Sequence, residues 1–134
     1  MTDANRRANI AAEMEKSRRV RTAADLAAAA GDFDTAVNRL YYSAFHAATA
    51  VCLTEGLEPK SHRGLRHLLN LHFVVAGRLE EWVNGALAAL EDDRSLADYQ
   101  PQFTMSEQRY HTRREEADRL LGRLETFLRE AKWI

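Results

Sequence analysis

A chain of 134 residues, 46% of them hydrophobic, can close one core and is too short for two comfortable ones. Two prolines and six glycines leave too little punctuation for an all-β fold, and the dominant Ala, Leu, Arg and Glu are good helix formers. A formal charge of −1 carries no global electrostatic signature for nucleic acid or an anionic membrane.

Lysine occurs only at Lys16, Lys60 and Lys132. The remaining cations are arginines, which suit bidentate phosphate recognition, although a plain coding bias looks the same. Cys52 is the single cysteine. It excludes a disulfide framework or a zinc cluster within one chain and fits a reducing compartment, as a buried and inert thiol. The polar N-terminus lacks a signal-peptide core, and no apolar run approaches the ~18 residues that span a bilayer. The expectation is a soluble, cytoplasmic protein.

From Asn5 to Ala30, Ile10, Met14, Ser17, Val20, Ala24 and Ala27 recur at three- and four-residue spacing, which predicts a long amphipathic helix. Its thin, alanine-rich stripe suits close approach by a neighbouring helix. Gly31 stops it, and Asp32 or Asp34 can cap the next. The short connection makes the two antiparallel neighbours. The second helix runs from Phe33 to about Thr54 and ends at Gly56, and Pro59 bars its continuation. Ser61 caps a third, with Leu65, Leu68, Leu69 and Phe73 on its buried side and Gly77 closing it. Leu79, Trp82, Val83, Ala86, Leu87 and Leu90 predict a fourth helix that fades at Asp92-Asp93-Arg94, so that Ser95 to Phe103 reads as a loop. Thr104 and Glu107 stand at capping-box spacing. They open a last helix to about Glu130, with Tyr110, Ala117, Leu121, Leu124 and Leu128 apolar. With no strand-like alternation, repeat or low-complexity tract, the fold class is an all-α bundle of four or five helices.

The chemistry concentrates in Asn38-Arg39-Leu40-Tyr41-Tyr42-Ser43-Ala44-Phe45-His46 of the second helix. Arg39 and His46 are seven residues apart, within about 20° of two whole turns. Both side chains therefore leave one face, with Tyr42 between them. This line offers a fixed cation, a phenol and a group that exchanges protons near neutral pH. Val37, Leu40, Tyr41, Ala44, Phe45 and Ala48 form the core stripe opposite. An Arg and a His so placed either act on a ligand or hydrogen-bond a neighbouring helix or a second copy.

His62, Arg63, Arg66, His67 and Asn70 make a second polar face, on the third helix. Basic groups near a helix N-terminus can hold an RNA backbone, and the same pattern describes a solvated face. His62, His67 and His72 form no i, i+4 pair with a carboxylate on one face, which argues against a metal site. Arg94, Asp98 and Tyr99 either approach the central motif or close a structural ion pair under the last loop. Arg109, Arg113 and Arg114 stand among Glu107, Glu115 and Glu116 and read as a mixed-charge solvated face.

Ala36-Val37-Asn38-Arg39-Leu40-Tyr41-Tyr42-Ser43-Ala44-Phe45-His46 resembles the signature helix of HEPN domains, in the UPF0332 branch. Gly56 to Leu65 resembles that branch's link into its third helix, and Arg94 to Tyr99 the segment after its fourth. The similarity runs from Ile10 to Leu128. It implies a single HEPN-like domain over 1–134, an up-and-down bundle of four to five helices. It also implies a homodimer that sets two Arg-to-His faces across a shared cleft.

Many HEPN proteins are endoribonucleases that use no metal or other cofactor. They often act as toxins paired with a minimal nucleotidyltransferase antitoxin, or in defence against phage. Their motif is an Arg, four to six residues and a His, and here six residues separate Arg39 from His46. In many active members a polar residue follows the arginine, where Leu40 stands here; Asn38 and Tyr42 can supply polar contacts instead. The expected function is RNA cleavage by Arg39 and His46, with Asn38, Tyr42, His62, Arg63, Arg66 and Arg94 as substrate contacts and no membrane partner. The alternative, favoured by Leu40, is a module that holds a nucleotide or receives a nucleotidyltransferase without cutting. A third is a pure dimerisation domain, favoured by near-neutral charge and by Trp82 and Trp133.

Overall fold

The computed structural model describes residues 2–134. They form five α-helices: α1 Asp3–Ala29, α2 Phe33–Leu53, α3 His62–Leu69, α4 Glu81–Tyr99 and α5 Glu107–Glu130. The all-α bundle read from the sequence is the observed architecture. α2 is its axis, packed against α1, α3, α4 and α5. No helix among the described residues is long and apolar enough to cross a membrane.

Local chemistry sets the boundaries. Gly31 takes φ +78°, a conformation open to glycine at little cost. Its N–H bonds to the Ala28 carbonyl and that of Asp32 to the Ala27 carbonyl, which closes α1 with a Schellman pair. Of the two candidate caps, Asp32 starts α2 by accepting from the Thr35 N–H at 3.1 Å. Ser61 caps α3 through the Gly64 N–H. α5 is capped by Ser106, which accepts from the Arg109 N–H at 3.1 Å, and not by Thr104.

The thin stripe of α1 allows the close approach expected of it. Where α1 meets α2, the buried Ser17 hydroxyl donates to the Ser43 carbonyl at 2.7 Å, and the Ser43 hydroxyl to the Ser17 carbonyl at 2.9 Å. Cys52 is wholly buried, and burial pushes its thiol up to about 12, the inert form expected.

Two further boundaries differ from expectation. The third helix gives way at Asn70 to a π-helical turn, Asn70–Val74, which still buries Phe73. α4 does not fade at the charged triplet but continues to Tyr99, so 95–99 is helix and not loop. Asp93 is only 1% exposed. Its carboxylate accepts from Arg109 Nη2 at 2.7 Å and from Arg113 Nε at 2.6 Å, both on α5. The arginines expected on a solvated face are thus the clamp that lets a charge sit inside the α4–α5 contact. Arg114, the third of them, reaches Asp25 on α1.

Candidate functional site

The two sides of α2 are unlike. Leu40, Tyr41, Ala44 and Ala48 are buried, whereas Asn38, Arg39, Tyr42, Phe45 and His46 are half-buried. Arg39 and His46 lie in one unbroken α-helix, so two turns return to the same side. Phe45, expected in the core stripe, stands at the edge of this face. There its ring packs against those of Tyr42, His46 and His62.

Arg39 is fixed by its neighbour. Its Nε and Nη2 both donate to the Asn38 side-chain oxygen, at 2.8 and 2.5 Å, and the guanidinium lies 5.3 Å from the Tyr42 ring. Asn38 in turn donates to Asp98 of α4 at 2.9 Å. One edge of the guanidinium is thereby occupied, and its other edge remains to meet an anion.

His46 Nδ1 lies 2.7 Å from Glu13 Oε2 on α1, with the two side chains 21% and 30% exposed. An ionised carboxylate only accepts, so Nδ1 carries the proton and Nε2 is the nitrogen left to exchange one with a ligand. Glu13 is absent from the sequence reading. Its signal was the α1 stripe itself: a carboxylate between Ile10 and Ser17, at three- and four-residue spacing, must face α2. A groove of about 410 Å³ opens beside Glu13, with Thr49, Glu58 and Lys60 also in its walls; neither His46 nor Arg39 lines it.

Arg94 is 6% exposed. Its guanidinium lies 5.2 Å from the Tyr41 ring, 5.8 Å from Tyr42 and 5.9 Å from Tyr99, and Nη1 is 3.5 Å from Asp98. Both alternatives for this segment hold at once: Arg94 and Asp98 pair, and both reach the central face. So sequestered, Arg94 adds positive potential from behind the face.

His62 turns inward, not onto a solvated face. Nδ1 is 2.7 Å from the Tyr41 hydroxyl and Nε2 is 3.5 Å from that of Tyr42. Burial raises the Tyr41 phenol well above its ordinary range, so it stays neutral and donates to Nδ1, which puts the His62 proton on Nε2. Arg66 of the same helix is committed to Glu91 at 3.0 Å. Arg63 is exposed, with no ion pair among the described residues. Of the expected contacts, Asn38, Arg39, Tyr42, His46, His62 and Arg94 come together; Arg66, paired with Glu91, acts on Tyr41 from its border, and Arg63 stays outside. Among the described residues no three His, Cys, Asp or Glu side chains gather so as to hold a metal ion.

Burial, and then the charge of Arg94, hold the His62 pKa below its ordinary 6.5. The unfolded chain therefore takes up this proton more readily than the folded one. The stability that neutral His62 contributes is complete above about pH 6.5 and is lost as pH falls through the folded value. From about pH 7 to about pH 5, the wild-type melting midpoint is expected to fall further than that of His62→Gln. Parallel pH profiles would contradict this.

A family model described as the HEPN domain matches residues 11–133. A UPF0332 protein of Pyrococcus horikoshii is 36% identical over 66 residues, 49% of this chain and 46% of the relative. Two proteins of Methanocaldococcus jannaschii carry the name "Putative toxin". One is 41% identical over 64 residues, 48% of either chain; the other is 31% identical over 104 residues, 75% of this chain and 63% of the relative. The chain spans about half the length of the first two of these relatives.

Proposed function

The chain belongs to the HEPN family, and from that premise we propose that it is an endoribonuclease cutting single-stranded RNA with Arg39 and His46, in a toxin or defence role. One observation carries the reading. The Glu13 carboxylate holds Nδ1 of His46 at 2.7 Å, which frees Nε2 on the side of α2 that also carries Arg39.

In the proposed reaction Nε2 of His46 takes the proton of a ribose 2′-hydroxyl. The 2′-oxygen attacks phosphorus, the bond from phosphorus to the 5′-oxygen breaks, and that oxygen takes a proton from an imidazolium. The products are a 2′,3′-cyclic phosphate and a 5′-hydroxyl. Arg39, a planar and permanently charged fork, neutralises the phosphorane between them. One imidazole cannot be base and acid in the same step. A second copy brings a second His46 and a second Arg39, so a homodimer of single HEPN domains belongs to the proposal. The names of the M. jannaschii relatives support the toxin role; a nucleotidyltransferase antitoxin is the partner proposed with it.

One observation favours a second reading. Leu40, the residue after Arg39, is wholly buried and gives the face no polar group. On that reading the face holds a nucleotide, or a nucleotidyltransferase, without cutting. Labelled single-stranded RNA incubated with the purified chain in EDTA separates the two: fragments support the nuclease, bound but intact RNA the binder.

Glu13→Gln tests the orientation of His46. An amide can offer Nδ1 either an oxygen or an N–H, and the second choice selects the wrong tautomer. The expected result is a kcat lower by roughly 10–100-fold with KM little changed. An unchanged kcat would remove Glu13 from the mechanism.

A further inference from the structure

Among the large apolar side chains left exposed, Leu26, Leu71, Val75, Tyr99 and Ile134, one is an aromatic ring. Tyr99 is 69% exposed at the last residue of α4. Its position is not arbitrary. The Arg94 guanidinium that lies against Tyr42 lies also against Tyr99, and the preceding residue, Asp98, holds the Asn38 side chain that fixes Arg39. Tyr99 makes no ring contact with another aromatic side chain among the described residues. The Arg94 guanidinium lies 5.9 Å from its ring centroid, and at 69% exposed most of the ring is open to solvent.

We infer that Tyr99 is a stacking platform for a nucleobase of the RNA strand, next to the phosphate held at Arg39. This rests on the nuclease reading and adds to it a named contact that holds a base of the single strand. An open aromatic face accepts a base splayed out of a single strand and has no such partner in a closed duplex. Arg94 steadies the ring from within by a cation–π contact. Asp98 does not repel the strand, because Asn38 and Arg94 both engage its carboxylate. The stacking contact is sequence-tolerant, since every base has a π-face, and is stronger for purines than for pyrimidines.

The test uses the full chain carrying His46→Ala, so that binding is read apart from cutting. Fluorescein-labelled oligo(A) and oligo(U) are titrated in EDTA and followed by anisotropy, with light scattering to record mass. Tyr99→Ala should weaken oligo(A) binding about tenfold, and oligo(U) less. Tyr99→Trp and Tyr99→Phe should stay close to the parent. The slope of log affinity against log salt should not change, because a ring neutralises no phosphate. Equal affinity in Tyr99→Ala, or a parent that binds neither oligonucleotide, overturns the inference. So does a Tyr99→Ala chain that falls from dimer to monomer, since the ring would then be a contact between copies. A chain that binds RNA through Tyr99 but leaves it intact when His46 is restored would cost the nuclease reading and leave the platform standing.

Discussion

His46→Ala is expected to lower the rate of RNA cleavage in EDTA by about 10²–10⁴-fold, the usual loss when a positioned acid or base is removed. Arg39→Ala should cost about 10²–10³-fold, because the charge that develops on the phosphorane loses its fixed counter-ion. The two losses should not add. An Arg-to-His pair that acts on one phosphodiester works as a unit, and the double variant should be little worse than the poorer single one. Arg39→Lys should recover only part of the rate, since an ammonium has no second N–H edge to meet a phosphate bidentately. None of these side chains is in the core, so melting midpoints should stay near that of the wild type. A folded His46→Ala chain that cleaves as fast as its parent would remove the imidazole from the chemistry.

The largest stability effect is expected at the α4–α5 clamp. Replacing Arg109 and Arg113 together by Ala strands the Asp93 carboxylate, 1% exposed, without a partner. A buried charge left in that state costs about 3–5 kcal/mol. Asp93→Asn should cost less, about 1–3 kcal/mol, for a reason visible in the exposures. The Arg109 and Arg113 side chains are 45% and 22% exposed, so they can regain water once the carboxylate is gone. The asymmetry is the test. Chemical denaturation should rank the double arginine variant below Asp93→Asn, and the reverse order would mean that Asp93 is not held as an ion.

That clamp also marks where the sequence ceased to be legible. A run such as Asp92-Asp93-Arg94 ordinarily signals a solvated helix end. The partners that internalise Asp93 stand 16 and 20 residues further along, on a helix whose docking no local pattern announces. The same limit hid Glu13, whose partner is 33 residues away. Glu13 did stand inside the α1 stripe, so the anomaly was visible even though its purpose was not. Within one helix the reading reached further. The common face of Arg39 and His46 follows from 3.6 residues per turn alone. The choice between Ser106 and Thr104 as the cap of α5 could not be made that way, because both are good caps and tertiary packing selects between them. Phe45 moved from core to face for a related reason: it lies on the border of the stripe, and the ring of His62, from another helix, decided its side.

Everything proposed for the function depends on a guanidinium and an oriented imidazole meeting one phosphodiester. The most direct measurement is the end chemistry of fragments released from single-stranded RNA by the purified chain in EDTA, read by mass spectrometry. The account predicts 2′,3′-cyclic phosphate and 5′-hydroxyl ends, produced by the wild type and absent with His46→Ala. Ends carrying a 3′-hydroxyl and a 5′-phosphate, or cyclic ends that persist in His46→Ala, would contradict it.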